Sequence, residues 1–96
     1  MLVDAVTVAA GDEIITDVCI IGAGPAGITL ARELAGQDFK VCLLESGGIE
    51  LPNDETKSLG NVETEGDFVQ VGSDNRNRRF GGNSSYWGIQ LNHSKI

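Results

Sequence analysis

Three glycines, Gly22, Gly24 and Gly27, stand in the spacing G-x-G-x-x-G, and a single carboxylate, Glu45, follows 18 residues after the third. Glycines so spaced can hold a diphosphate. Gly22 permits a sharp turn where a Cβ would clash. Gly24 lets the backbone approach a pyrophosphate, and Gly27 lets a helix pack close to its strands. Amides at the start of that helix, around Ala26, then point at the phosphates with the helix dipole behind them. A carboxylate in the place of Glu45 accepts hydrogen bonds from both hydroxyls of an adenosine ribose, with Ser46 beside it.

A second stretch also carries chemistry: Arg76-Asn77-Arg78-Arg79-Phe80-Gly81-Gly82-Asn83-Ser84-Ser85-Tyr86-Trp87-Gly88. Paired glycines followed by Asn and Ser offer bare backbone N–H groups and hydroxyls. Such a segment can wrap an anion or lie along a flat ring. The neighbouring arginines can hold phosphate or lock the loop to a carboxylate. Standing alone, the stretch also fits a basic, glycine-containing surface loop.

The elements that must position these residues are legible around them. Val18 to Ile21 is an unbroken apolar run and reads as a strand buried on both faces. Ile28, Ala31 and Leu34 recur at helical spacing, so a helix is expected from Pro25 to about Ala35, with Gly36 as its C-cap. Pro25 suits the first turn, where no intrahelical N–H partner is lost. Val41 to Leu44 is a second apolar run, ending in Glu45. Strand, glycine turn, helix, strand, acid is the layout of a dinucleotide-binding βαβ unit. The expected class is α/β, a Rossmann-like unit that is incomplete as a domain.

The remainder reads as follows. Val3, Val6 and Val8 allow a short edge strand, but residues 1–16 are taken as a loose leader and 17–96 as the binding portion. Gly47-Gly48 breaks the second strand. Residues 49–67 form an acidic surface excursion. Phe68 to Val71 alternates like a short strand, and Gly72 to Asn75 is a turn.

The net charge of −7 is uneven: residues 1–75 hold all 14 acids, whereas 76–96 hold four bases and no acid. Overall acidity argues against a nucleic-acid partner. The basic cluster suits a phosphate or an acidic surface in the same protein. Cys19 and Cys42 lie inside the expected strands without metal-type spacing, so they read as buried core thiols in a reduced, cytoplasmic setting. No metal site is expected. There is no signal-peptide pattern, and no apolar run approaches membrane-spanning length.

The two stretches together resemble the flavin-binding N-terminal region of glucose–methanol–choline oxidoreductases. Arg76, Arg78, Gly81, Gly82 and Ser84 match that family's R-x-R-x-x-G-G-x-S segment. The continuation at Trp87 and Gly88 looks closest to the sugar-oxidising branch, which includes pyranose oxidases. The resemblance covers residues 17–90. Its spacing also fits: Glu45 and Gly81 lie 36 residues apart, whereas amine-oxidase-type flavoproteins place their double glycine soon after the acid.

The resemblance implies FAD, with Gly22, Gly24, Ala26 and Gly27 at the pyrophosphate and Glu45 and Ser46 at the ribose. Arg78, Gly82, Asn83, Ser84, Trp87 and Gly88 would lie near the phosphates and the ring. It implies a hydride passing from an alcohol or sugar carbon to flavin N5. Some pyranose oxidases bond the flavin through a histidine where Tyr86 stands here, so FAD is expected to be non-covalent. The family's catalytic histidine lies far toward the C-terminus of a much longer chain. His93 comes too early for that role, and no catalytic residue is assigned. An NAD module is the rival reading. NADP fits poorly, since Ser46-Gly47-Gly48 offers no arginine for a 2′-phosphate. A third reading is a non-catalytic piece that works with a partner chain.

One convincing helix cannot cover both faces of a parallel sheet, and five aromatic residues make a thin core. The chain therefore reads as the front of a larger protein. Residues 1–96 alone are expected to show no alcohol or sugar turnover in a dye-coupled assay, because no general base is present. Turnover above that of free flavin would overturn this expectation.

Overall fold

A computed structural model of the chain describes residues 1–67 and 75–86. The expected strand at Phe68 to Val71, Trp87, Gly88 and His93 all lie outside the described residues.

The architecture is a parallel βαβ unit. Strand β1 is Val18–Ile21, helix α1 is Pro25–Leu34 and strand β2 is Val41–Leu44. The strands pair in the register Val18↔Val41 to Ile21↔Leu44. A parallel pair needs a crossover of about a dozen residues or more, and α1 supplies it. The Rossmann-like class read from the apolar runs is the one observed.

Each end of the sheet is closed by a polar contact. At the start, the Asp17 carboxylate accepts the Lys40 N–H at 2.7 Å, while the Lys40 carbonyl accepts the Asp17 N–H at 2.9 Å. At the exit, the Gly22 N–H donates to the Leu44 carbonyl at 2.7 Å, extending the pairing one residue into the glycine loop. Gly22 then turns with φ +99°, a conformation only glycine adopts freely.

Strand side chains alternate between faces, and registered partners in this parallel pair share a face. Val18, Ile20, Val41 and Leu43 lie on the α1 side, where Ile20 is buried and the other three are half-buried. Cys19, Ile21, Cys42 and Leu44 lie on the other side. The expectation of a strand buried on both faces is corrected here: Ile21 is 86% exposed and Cys19 is exposed. Cys19 is not a buried core thiol, and Cys42 is only half-buried. The reason is geometric. One helix covers one face, and among the described residues nothing is layered on the other. Buried apolar side chains among those residues are Ile20 and Ala23.

Helix α1 ends one residue earlier than expected, with Ala35 as its C-cap and Gly36 following at φ +81°. Arg32 and Glu33 face solvent, as their positions on the polar side require. The stretch after β2 contains an unforeseen short helix, α2, Asp54–Ser58. Its N-cap is Asn53, whose side-chain oxygen accepts the Thr56 N–H at 2.9 Å. In the N-terminal stretch, Ala5–Thr7 form a single 3-10 turn capped by Asp4.

Helix α1 lies close against the exit of β1 at Gly27. A Cβ there would run into the Gly22 carbonyl and also meet the Ile20 side chain at 3.4 Å. Gly27→Ala is therefore expected to push α1 off the sheet and destabilise the fold by about 1–3 kcal/mol. Urea unfolding followed by circular dichroism checks this, and an unchanged midpoint would contradict it.

Candidate functional site

The site begins at the exit of β1. Gly24 is the N-cap of α1 and carries no side-chain capping bond, and Pro25 follows in the first turn. The first intrahelical bond runs from the Ile28 N–H to the Gly24 carbonyl at 3.0 Å. The Ala26 and Gly27 N–H groups thus precede the helix's own ladder and lie at the positive end of its dipole. A Cβ at Gly24 would meet nothing within 4 Å. Open space therefore lies over this glycine, beside free helix amides, where an anion can approach the backbone.

Glu45 sits at the exit of β2 and faces this loop. One carboxylate oxygen accepts the Ala23 N–H at 2.8 Å. The other accepts the Gly47 N–H at 2.9 Å, with the Ser46 hydroxyl at 3.4 Å. An ionised carboxylate has about four acceptor positions; three are taken here, and two are open to a ribose diol once the long Ser46 contact gives way. The sequence predicts a ribose-binding role for Glu45. It did not reveal that the same carboxylate ties the two strand exits together.

The second stretch folds back onto the first. The Gly81 N–H donates to the Ala23 carbonyl at 2.7 Å, and a Cβ at Gly82 would lie 3.4 Å from the Gly24 Cα. Gly81 and Gly82 both have positive φ, +89° and +54°, and residues Gly82–Tyr86 then form a 3-10 turn. Ser84 is locked to the Gly81 carbonyl through both its hydroxyl, at 2.5 Å, and its N–H, at 3.2 Å. Gly22, Gly24, Ala26, Gly27, Gly82 and Ser84 are thus gathered around one loop.

Arg78 lies on the Glu45 side of this loop, donating through Nη1 to the Ser46 hydroxyl at 3.1 Å. The Asn83 side chain is used within its own loop. Its oxygen accepts the Asn77 N–H at 2.9 Å and the Asn77 side-chain amide at 2.8 Å, and its amide donates to the Asn75 carbonyl at 2.9 Å. Three residues that side-chain chemistry did not single out are also built in. Ala23 works through its backbone N–H and carbonyl, Gly47 through its N–H, and Arg79 donates through Nη2 to the Ile49 carbonyl at 2.8 Å. Backbone roles leave no mark on residue type, and Arg79 was one basic residue among several. Among the described residues, no group of three or more His, Cys, Asp or Glu converges to hold a metal ion.

The comparisons with known proteins agree with this geometry. The model of the family described as FAD dependent oxidoreductase (DAO) matches residues 17–57. A digeranylgeranylglycerophospholipid reductase of Haloferax volcanii is 46% identical over 52 residues, which is 54% of this chain and 12% of that protein. The chain thus spans about an eighth of the length of that relative. No solved structure matches. Residues 17–57 are thus similar to the FAD-dependent oxidoreductase family, and FAD is the cofactor that this match supports. The narrower likeness to glucose–methanol–choline enzymes rests on the sequence of residues 76–88.

Gly24→Ala separates binding from folding. Its φ of −77° suits alanine and nothing obstructs the methyl group, so stability should change by less than about 0.5 kcal/mol. The methyl group fills the anion's approach, so FAD affinity should fall at least about tenfold, the scale of one lost charge-assisted hydrogen bond. A thermal melt and a flavin-fluorescence titration check both. Wild-type affinity in the variant would remove Gly24 from the site.

Proposed function

We propose that this chain is the FAD-binding portion of an oxidoreductase acting on CH–OH groups of alcohols or sugars. One observation carries the proposal: the Gly81-Gly82 pair docks its backbone on the diphosphate loop through the 2.7 Å bond to Ala23. A double-glycine segment distant in sequence, returning to the first glycine loop, is what the R-x-R-x-x-G-G-x-S resemblance requires. A surface loop would have no reason to return there.

In this reading the α1 amides and Gly24 take the pyrophosphate, Glu45 takes the ribose diol, and the Gly82 to Ser84 turn carries the bound group onward toward its ring. Bound FAD supplies the hydride acceptor, and the protein positions it and shapes its surroundings. The substrate's proton acceptor and pocket walls belong to other parts of the protein. Tyr86, exposed at the end of the 3-10 turn, stands where a covalent histidine would be, so the flavin is held without a bond to the chain. We further propose a reducing, cytoplasmic setting, supported by two unpaired thiols. No helix among the described residues is long and apolar enough to cross a membrane.

A second reading has one observation in its favour. The Haloferax volcanii relative is named as a reductase, so electrons would leave the flavin for the substrate instead of entering it. Anaerobic addition of an alcohol and sugar panel to the full-length protein separates the two. Bleaching of the visible flavin band by a panel member supports the CH–OH reading. A band bleached only by a chemical reductant contradicts it and favours the reductase.

Two further outcomes are expected of the full-length protein. Glu45→Ala removes a charged acceptor from the ribose and should weaken FAD at least about tenfold, at about 1.5–3 kcal/mol for a hydrogen bond to a charged group. Unchanged affinity by titration would remove Glu45 from the site. Acid precipitation should release all flavin into the supernatant, and a flavin-sized mass on a peptide containing Tyr86 would contradict non-covalent binding.

A further inference from the structure

We propose that Arg79 is a positioning residue of the nucleotide site: it acts through the Ser46–Ile49 turn to hold the Glu45 carboxylate toward a ribose. The proposal rests on Glu45 being the ribose acceptor.

Three consecutive residues staple that turn. Arg78 donates through Nη1 to the Ser46 hydroxyl at 3.1 Å, Arg79 donates through Nη2 to the Ile49 carbonyl at 2.8 Å, and the Phe80 N–H donates to the Gly48 carbonyl at 3.0 Å. The chains also meet without room to spare: a Cβ at Gly47 would collide with the Arg78 carbonyl. Between the stapled points, the Gly47 N–H donates to a Glu45 oxygen at 2.9 Å. The orientation of the carboxylate is therefore coupled to how firmly residues 78–80 hold the turn.

Arg79 is distinctive among the three. Its Nε is buried with no acceptor among the described residues. A buried donor without a partner is costly, and native structures seldom keep one without a reason. An arginine on a mostly exposed loop could satisfy all its donors in water by swinging outward. Arg79 instead keeps its Nε sealed, unpaired among the described residues, while Nη2 grips Ile49. Maximal local stability does not explain that choice, whereas a requirement that the turn be held in one geometry does. Arg79 donates to Ile49 and not to the Glu45 carboxylate, so its effect is indirect. It should appear in ribose discrimination rather than in phosphate binding.

The probes are ADP and 2′-deoxy-ADP, titrated calorimetrically into the full-length protein freed of flavin. Wild type should prefer ADP by at least about tenfold, the scale of one hydrogen bond to a charged group. Arg79→Met keeps an apolar stem and removes every donor. It should weaken ADP about five- to tenfold and 2′-deoxy-ADP less than about twofold, so that the preference collapses. If both nucleotides weaken by one factor, Arg79 is merely structural and the proposal is overturned. The same holds if neither weakens. Where Arg79→Met does not fold, Arg79→Lys, which keeps the charge but not the fork, is read by the same ratio. Wild type that binds both nucleotides equally removes Glu45 as the ribose acceptor and this inference with it. Wild type that binds neither overturns the FAD site itself.

Discussion

The Glu45 carboxylate is the contact on which the rest depends. One oxygen takes an N–H from the loop leaving β1 and the other takes an N–H from the turn leaving β2. The main-chain pairing ends with the Gly22 N–H on the Leu44 carbonyl, and Glu45 carries the link between the two exits beyond it. Hydrogen bonds to an ionised acceptor are worth about 1.5–3 kcal/mol, roughly twice a neutral pair. That is a large share for a unit whose buried apolar side chains among the described residues are Ile20 and Ala23. The residue proposed to take the ribose is thus also the one that ties the two strand exits together.

Backbone contacts take over where side-chain packing is thin. The second loop reaches the first through the Gly81 N–H and the Ala23 carbonyl, and Gly82 lies against Gly24. The Ser46–Ile49 turn meets residues 78–80 at Gly47, again with no space for a side chain. Glycine at these positions lets main chain touch main chain. Low side-chain volume has a cost: the site has few apolar contacts to stiffen it. Arg78, Arg79 and the Asn77–Asn83 pair supply polar staples instead.

The strands, α1 and their connection were legible because three independent signals agreed: apolar runs, helical periodicity and the glycine spacing. The place of Glu45 at the exit of the second strand was legible from the apolar run that it ends, whereas its bonds to Ala23 and Gly47 were not. The bare sheet face followed from finding a single helix, although the assignment of Cys19 to a core did not survive it. Apolar runs report that a strand wants burial, not whether a covering layer is present. Helix α2 escaped because its five residues are polar and held by an Asn53 cap rather than by an apolar stripe. The roles of Ala23 and Gly47 escaped because they are carried by backbone groups that every residue has. Asn83 was expected near the phosphates and the ring from the family resemblance, and the fold uses its side chain to close its own loop.

The central claim is that two stretches distant in sequence form a single nucleotide site. Amide NMR of the isotopically labelled protein during an ADP titration tests it directly. The account predicts that the amides of Ala26 and Gly27 and those of Gly81 and Gly82 shift together, along one binding curve with a common midpoint. Shifts confined to the first loop, with Gly81 and Gly82 unmoved at saturation, would contradict it and leave residues 76–86 as a surface segment unconnected with the cofactor.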